Sequence, residues 1–160
     1  MHQTKRNIVI VGPAASGKDM LRRRLEAKGY TYCKPYTTRP KRAGEWAGDY
    51  HFVTDEEFSK AETDGIFTVV ETYNGWKYGI VTKDLLTCDL FVMTPEYLAK
   101  LGRGFTDSSF IIYLNPDCGV RLKRLGERHD MDSAIRRFEA DKEQFKDFTT
   151  YDIEIKNENF

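Results

Sequence analysis

The feature that most constrains this chain is its first patterned stretch, NIVIV followed by GPAASGK and DMLRRRLEAKG. Asn7 to Val11, mostly β-branched and apolar, predict a strand buried on both faces and ended by Gly12 and Pro13. From Lys18 the pattern becomes helical, with Met20, Leu21 and Leu25 as apolar positions and Gly29 as the stop. Between them, Gly12, Gly17 and Lys18 match G-x-x-x-x-G-K. Such a loop turns its backbone N–H groups inward onto phosphate oxygens, the helix adds its positive end, and the lysine reaches the outer phosphates. A glycine turn that binds nothing is the bland alternative. It is disfavoured because the motif sits where it should, between a buried strand and a helix. Gly12, Ala14, Ala15, Ser16, Gly17, Lys18 and Asp19 are therefore the expected ATP-binding residues. Asp19 stands where the motif carries Ser or Thr beside Mg²⁺. A carboxylate is a hard ligand for that ion, so Asp19 is the expected metal residue, binding directly, holding it through water, or only capping the helix.

The rest of the chain alternates strands and helices. Thr54 with Glu57 reads as a capping box opening a helix to about Thr63. IFTVVETY and WKYGIVT flank Asn74-Gly75, a strong hairpin signal. DLFVM (89–93) and FIIYL (110–114) read as buried strands, followed by helices near Pro95 and after Pro116. A charged helix is expected over about 132–148, and YDIEIKN (151–157) as a last strand. No repeat or linker interrupts the pattern. It predicts one α/β domain, a parallel sheet sandwiched by helices, with a small β-rich insertion around the hairpin.

Charge excludes some functions. Lys plus Arg and Asp plus Glu number 25 each, so the whole protein makes no strong field for nucleic acid or an acidic membrane, and any cationic site must be local. The longest apolar runs are too short for a transmembrane helix, and MHQTKRN does not read as a signal peptide. Cys33, Cys88 and Cys118 are odd in number and lack CxxC spacing, which predicts reduced thiols and a cytoplasmic protein. The three histidines are scattered and suggest no metal cluster.

A local cationic site does exist, in TTRPKRAGEWAGDYHFV (37–53). Downstream of a phosphate loop, this stretch resembles the signature of guanylate kinases, TTR-x-x-R-x-G-E followed by DY-x-F, with one residue fewer before DY than is usual. NGWKYG (74–79) likewise resembles the family's GNYYG element. The resemblance runs from about Asn7 to Asn157. It implies a P-loop nucleoside monophosphate kinase using ATP and Mg²⁺. It also implies a core over about 1–33 and 83–160, a monophosphate-binding subdomain over about 34–82 and a lid over about 126–134. Arg39, Arg42, Tyr50 and Tyr78 fall on the positions that hold the acceptor phosphate. Guanidinium groups fork onto phosphate oxygens, and phenols donate without adding charge.

The positions that read guanine in the family fall here on Pro35, Val69 and Ile80, and on Met93 with Phe91 two residues before it. All are apolar or lack a hydrogen-bonding side chain. Glu71, two residues beyond Val69 on the same strand face, is the expected replacement reader. In RLKRLGERHDMDSAIRRF (121–138), Arg124, Arg128 and Arg137 match lid arginines that close over ATP phosphates, and with Lys18 they are the expected catalytic residues. Asn157 matches an asparagine near the adenine pocket. The sequence ends soon after it, before the place of the family's last helix. The leading expectation is a kinase of GMP, dGMP or another nucleoside monophosphate, as monomer or homodimer. The alternative is a family member that has become a protein-binding module.

Overall fold

The computed structural model describes residues 6–128 and 131–160, so the expected lid lies partly outside the described residues. The chain forms two compact units, one made of the chain up to Tyr30 with Leu90–Phe160, the other of Thr31–Asp89.

The first unit is built on a parallel sheet. Strand β1 (Asn7–Val11) lies between β6 (Leu90–Met93) and β7 (Ser109–Leu114), with β8 (Ile153–Ile155) beyond β7. Val9, Ile10 and Val11 are all fully buried, as consecutive residues must be in a central strand covered on both faces. β1 is where the order reverses, since the chain returns first to one side of it and then to the other. The crevice beyond the end of such a strand is the usual ligand position in open α/β sheets. Helix α1 (Lys18–Ala27) leaves from that point and packs on β6 and β1. Its apolar pattern is only a partial guide to its buried side. Met20 is 40% exposed, whereas Arg22 is fully buried against Glu26 one turn on. Helices α4 (Pro95–Leu101), α5 (Arg103–Asp107), α6 (Cys118–Arg128) and α7 (Met131–Phe145) complete the unit. The short α5, after Gly102 at φ 82°, has no clear signal in the sequence. None of the described helices is long and apolar enough to cross a membrane.

The second unit is a four-stranded sheet in the order β3 (His51–Phe52), β2 (Tyr36–Thr37), β5 (Trp76–Val81), β4 (Phe67–Tyr73), with α2 (Asp55–Thr63) and α3 (Thr82–Thr87). Thr54 and Glu57 make the full capping box at the start of α2. β4 and β5 form the expected hairpin, with Asn74 and Gly75 at φ 51° and 78°, the left-handed pair that a two-residue turn between twisted strands requires. A bulge between Phe67 and Val69 places the Phe67 ring over Gly79, where a Cβ would fall 2.8 Å from it. Phe67 also stacks on the fully buried Phe58 and meets the edge of Tyr36. The architecture is α/β, a parallel sheet flanked by helices, with a β-rich subdomain inserted between α1 and β6.

Candidate functional site

The donor side of the site is the loop between β1 and α1. Ala15 (φ 61°) and Gly17 (φ 98°) both adopt left-handed backbone, which curls the chain into a cup. Gly12 must be glycine for reasons of space. A Cβ there would lie 2.6 Å from Ser16 Oγ and 2.7 Å from the Leu114 carbonyl oxygen. Four successive loop carbonyls accept hydrogen bonds from cationic side chains. Lys18 Nζ donates to Gly12 O (2.6 Å) and Pro13 O (2.9 Å), Arg121 Nε to Ala14 O (3.1 Å), and Arg124 Nη1 to Ala15 O (3.0 Å). Of the loop N–H groups, Ala14 donates to Asp141 Oδ2 at 2.9 Å and Ser16 to Pro13 O at 3.3 Å. Ser16 Oγ is buried and has no hydrogen-bond partner among the described residues. A buried hydroxyl left without a partner in such a cup calls for an account beyond packing.

Burial of the Lys18 ammonium pushes it down to about 8. Asp19 and Asp141 favour the charge, and Arg137 and Arg121 oppose it. Arg137 and Asp141 lie four residues apart on α7, on one helix face, and both act on this lysine. Arg124 and Arg137 are thus brought to the loop. Arg128 is exposed at the end of α6, and Asn157 is exposed beyond β8, its side chain accepting from Asn159 N–H. Asp19 is exposed in the first turn of α1, 3.8 Å from Arg22 Nε. The Phe160 ring lies beside Gly17, and Phe160 O accepts from Arg24.

The second unit carries the acceptor candidates. Arg39 is 5% exposed and held by Glu45 in a two-pronged pair, Nη1 to Oε2 at 3.0 Å and Nη2 to Oε1 at 2.6 Å. The same carboxylate accepts the Arg42 backbone N–H at 2.9 Å. Burial works against its charge, but these bonds hold Glu45 below the ordinary carboxyl range. The Arg39 guanidinium lies 5.3 Å from the Tyr50 ring centre, and the Tyr50 and Tyr78 rings are 6.2 Å apart, edge to face. Register places Tyr78 opposite both Thr37 and Glu71, and Ile80 opposite Val69. One sheet face therefore carries Thr37, Val69, Glu71, Tyr78 and Ile80. Glu71, at 5% exposure, is a buried carboxylate on a face otherwise lined by apolar residues, a threonine and a phenol.

Sequence reasoning assigned no role to Glu45, Arg121 or Asp141. Glu45 stood inside the quoted motif, so its signal was present. Arg121 and Asp141 are 20 residues apart on two charged helices, and nothing local marks them as partners.

A family model for guanylate kinase matches residues 4–87. The chain is 32% identical to a guanylate kinase of Syntrophotalea carbinolica, across 97% of this chain and 80% of that one. It is 33% identical to one from Oleidesulfovibrio alaskensis, across 81% of this chain and 68% of the relative. The fold matches the crystal structure of guanylate kinase from Anaplasma phagocytophilum, with a TM-score of 0.73 and 21% identity over 98% of this chain and 79% of that one. Phosphate loop, acceptor motif and fold agree with these likenesses, and the chain belongs to the guanylate kinase family of ATP-dependent nucleoside monophosphate kinases.

Proposed function

We propose that this protein transfers the γ-phosphoryl group of ATP to GMP or dGMP, or to another nucleoside monophosphate, giving the corresponding diphosphate and ADP. The observation that carries this reading is the cluster of Arg39, Tyr50 and Tyr78, drawn from three separate segments of the second unit. A phosphate loop alone serves any nucleotide-binding protein. A second, independently built phosphate receptor is what a phosphoryl acceptor requires. The binding-module reading leaves the ordered loop cup and its four cation-held carbonyls without a purpose, and is not favoured.

In this reading the loop over 12–17 cradles the ATP phosphates through Gly12, Ala15, Ser16 and Gly17 and the Ser16 hydroxyl, while Ala14, whose N–H donates to Asp141, shapes the loop. Phosphoryl transfer asks mainly for positioning and for cancellation of spreading negative charge. Lys18, Arg137 and Arg124 supply cations at the loop, and Arg128 is assigned to the donor phosphates from the end of α6. Asn157 is assigned to the adenine. Arg39, Arg42, Tyr50 and Tyr78 hold the acceptor phosphate. Arg39 has donors on Nε and Nη2 that Glu45 and Pro40 do not use. The residues present suit Mg²⁺, since that ion keeps most of its waters and takes one or two carboxylates plus substrate phosphates. Asp19 would hold it, and it would neutralise charge on the transferred group.

The base is read differently from the phosphate. An ionised carboxylate only accepts hydrogen bonds, so Glu71 suits donors such as the N1–H and amino group of guanine. The free thiols of Cys33, Cys88 and Cys118 suit the reducing cytoplasm, which is where we place the protein, as a monomer or homodimer.

Phosphorus NMR of ATP, Mg²⁺ and GMP or dGMP with the enzyme tests the reaction. Growth of diphosphate resonances with loss of both substrates is expected for the native protein, and none for Lys18→Ala. Persistence of the monophosphate signals across ribo- and deoxynucleotides alike sinks the reading.

A further inference from the structure

Both polar groups of the Ala14 residue are taken by one buried ion pair. Its N–H donates to Asp141 Oδ2 at 2.9 Å, and its carbonyl accepts from Arg121 Nε at 3.1 Å. Arg121 Nη2 closes the triangle on Asp141 Oδ2 at 3.2 Å, and each residue is 5% exposed. The guanidinium also lies 5.1 Å from the Phe138 ring centre. A pair buried this deeply is costly to assemble and is not by itself a source of stability, so its placement on a phosphate loop calls for another account.

We propose that Asp141, held by Arg121, is a positioning residue of the donor site, fixing the Ala14 peptide and the α7 face that carries Arg137 relative to Lys18. This rests on the kinase reading. The geometry gives three consequences. An alanine has no side chain to hold its own peptide, so the loop's curvature at this point is set from outside. Asp141 is one helical turn from Arg137, so fixing the first fixes the approach of the second. Arg121 is three residues before Arg124 on α6, and the two donate to successive carbonyls, so α6 and α7 are both tied to the loop. The helices that carry Arg121, Arg124, Arg137 and Asp141 are thereby fastened to the donor loop.

The test compares native protein, Asp141→Asn, Asp141→Ala and the doubly apolar Arg121→Met/Asp141→Leu, by thermal unfolding, binding of a fluorescent ADP analogue, and turnover. Asp141→Asn keeps an acceptor for Ala14 N–H and removes the charge that holds Arg121. Its affinity for the analogue is expected to fall at least threefold and its kcat at least tenfold, with KM for the acceptor within twofold of native. The double variant is expected to regain thermal stability lost by Asp141→Ala but neither the lost affinity nor the lost turnover. Native analogue affinity and kcat in Asp141→Asn overturn the proposal, as does full recovery of turnover in the double variant, which makes the pair mere filling. Should the native protein transfer no phosphoryl group at all, the kinase reading fails. Analogue affinity across the variants then still decides for or against Asp141 as a positioning residue of the loop.

Discussion

Glu45 grips Arg39 with both carboxylate oxygens, at 3.0 and 2.6 Å, and with one of them also takes the Arg42 backbone N–H. The guanidinium we propose for the acceptor phosphate is thus already aimed by an internal anion. Breaking this pair leaves a cation at 5% exposure with its partner gone, so Glu45→Ala is expected to cost about 3 kcal/mol of stability. It should also raise KM for every monophosphate. Chemical denaturation and steady-state kinetics check the two halves. The pH sign is fixed as well. Because the folded state lowers the Glu45 carboxyl, its contribution is present above the unfolded value near 4.5 and disappears as pH falls through the lower folded value. The acid limb of a stability profile should therefore flatten in Glu45→Gln.

Phosphate recognition and base recognition should separate. On the proposed assignment, Arg39→Ala or Arg42→Ala removes a charge-assisted phosphate contact that all monophosphates share and should weaken each by about 2–4 kcal/mol. Glu71→Gln should act selectively, harming bases that donate hydrogen bonds and sparing others. Kinetics of each variant with several monophosphates check this. Base-selective effects from Arg42 and uniform ones from Glu71 would reverse the assignment.

Ser16 offers a test in which stability and binding part ways. Its buried hydroxyl has no partner among the described residues, so Ser16→Ala should leave thermal stability unchanged or slightly raised. If the hydroxyl serves a phosphate, ATP affinity should still weaken by about 1–2 kcal/mol. Calorimetry on both properties distinguishes this from a simple packing role, which would lower stability and spare affinity. Gly12→Ala, by contrast, forces a Cβ against Ser16 Oγ and Leu114 O and should damage both.

Much of this arrangement was legible before any coordinates. NIVIV, the capping box and Asn74-Gly75 each carry a local rule, and each element stands where that rule places it. Lys18, Arg39 and Tyr78 sit in motifs whose spacing is itself the signal. Other parts obey no local rule. β2 and β3 are two-residue strands that exist only because β5 is there to pair with β2. Thr82 closes the expected strand WKYGIVT, yet it opens α3, a helix that no sequence signal marked. Arg22 looks like a solvated helix cation and is fully buried. Arg121 and Asp141 look like two unrelated surface charges. Their pairing is a product of how α6 and α7 pack, which no window of sequence contains.

Lys18 links binding to pH. Its ammonium is pushed down to about 8, chiefly by burial, and bound phosphates should raise it again. Nucleotide binding should therefore take up a proton above pH 8, and affinity should fall about fivefold between pH 8 and 9. For folding the sign is opposite. The charged lysine is penalised in the folded state, so its effect on stability improves from about 8 towards the unfolded value of 10.5. Titration calorimetry in buffers of different ionisation enthalpy measures the proton directly. Asp19→Ala, measured alongside, should raise the Mg²⁺ requirement while Asp19→Ser is tolerated.

Passage of a phosphoryl group from ATP to a nucleoside monophosphate shows itself in acceptor-dependent ADP release. A coupled assay with ATP and Mg²⁺ should be run across ribo- and deoxynucleoside monophosphates, with Lys18→Ala and Arg39→Ala as controls. Release should require a monophosphate, be abolished by Lys18→Ala and fall for every accepted substrate in Arg39→Ala. ADP release at one rate with or without monophosphate, or none with any of them, would contradict that transfer.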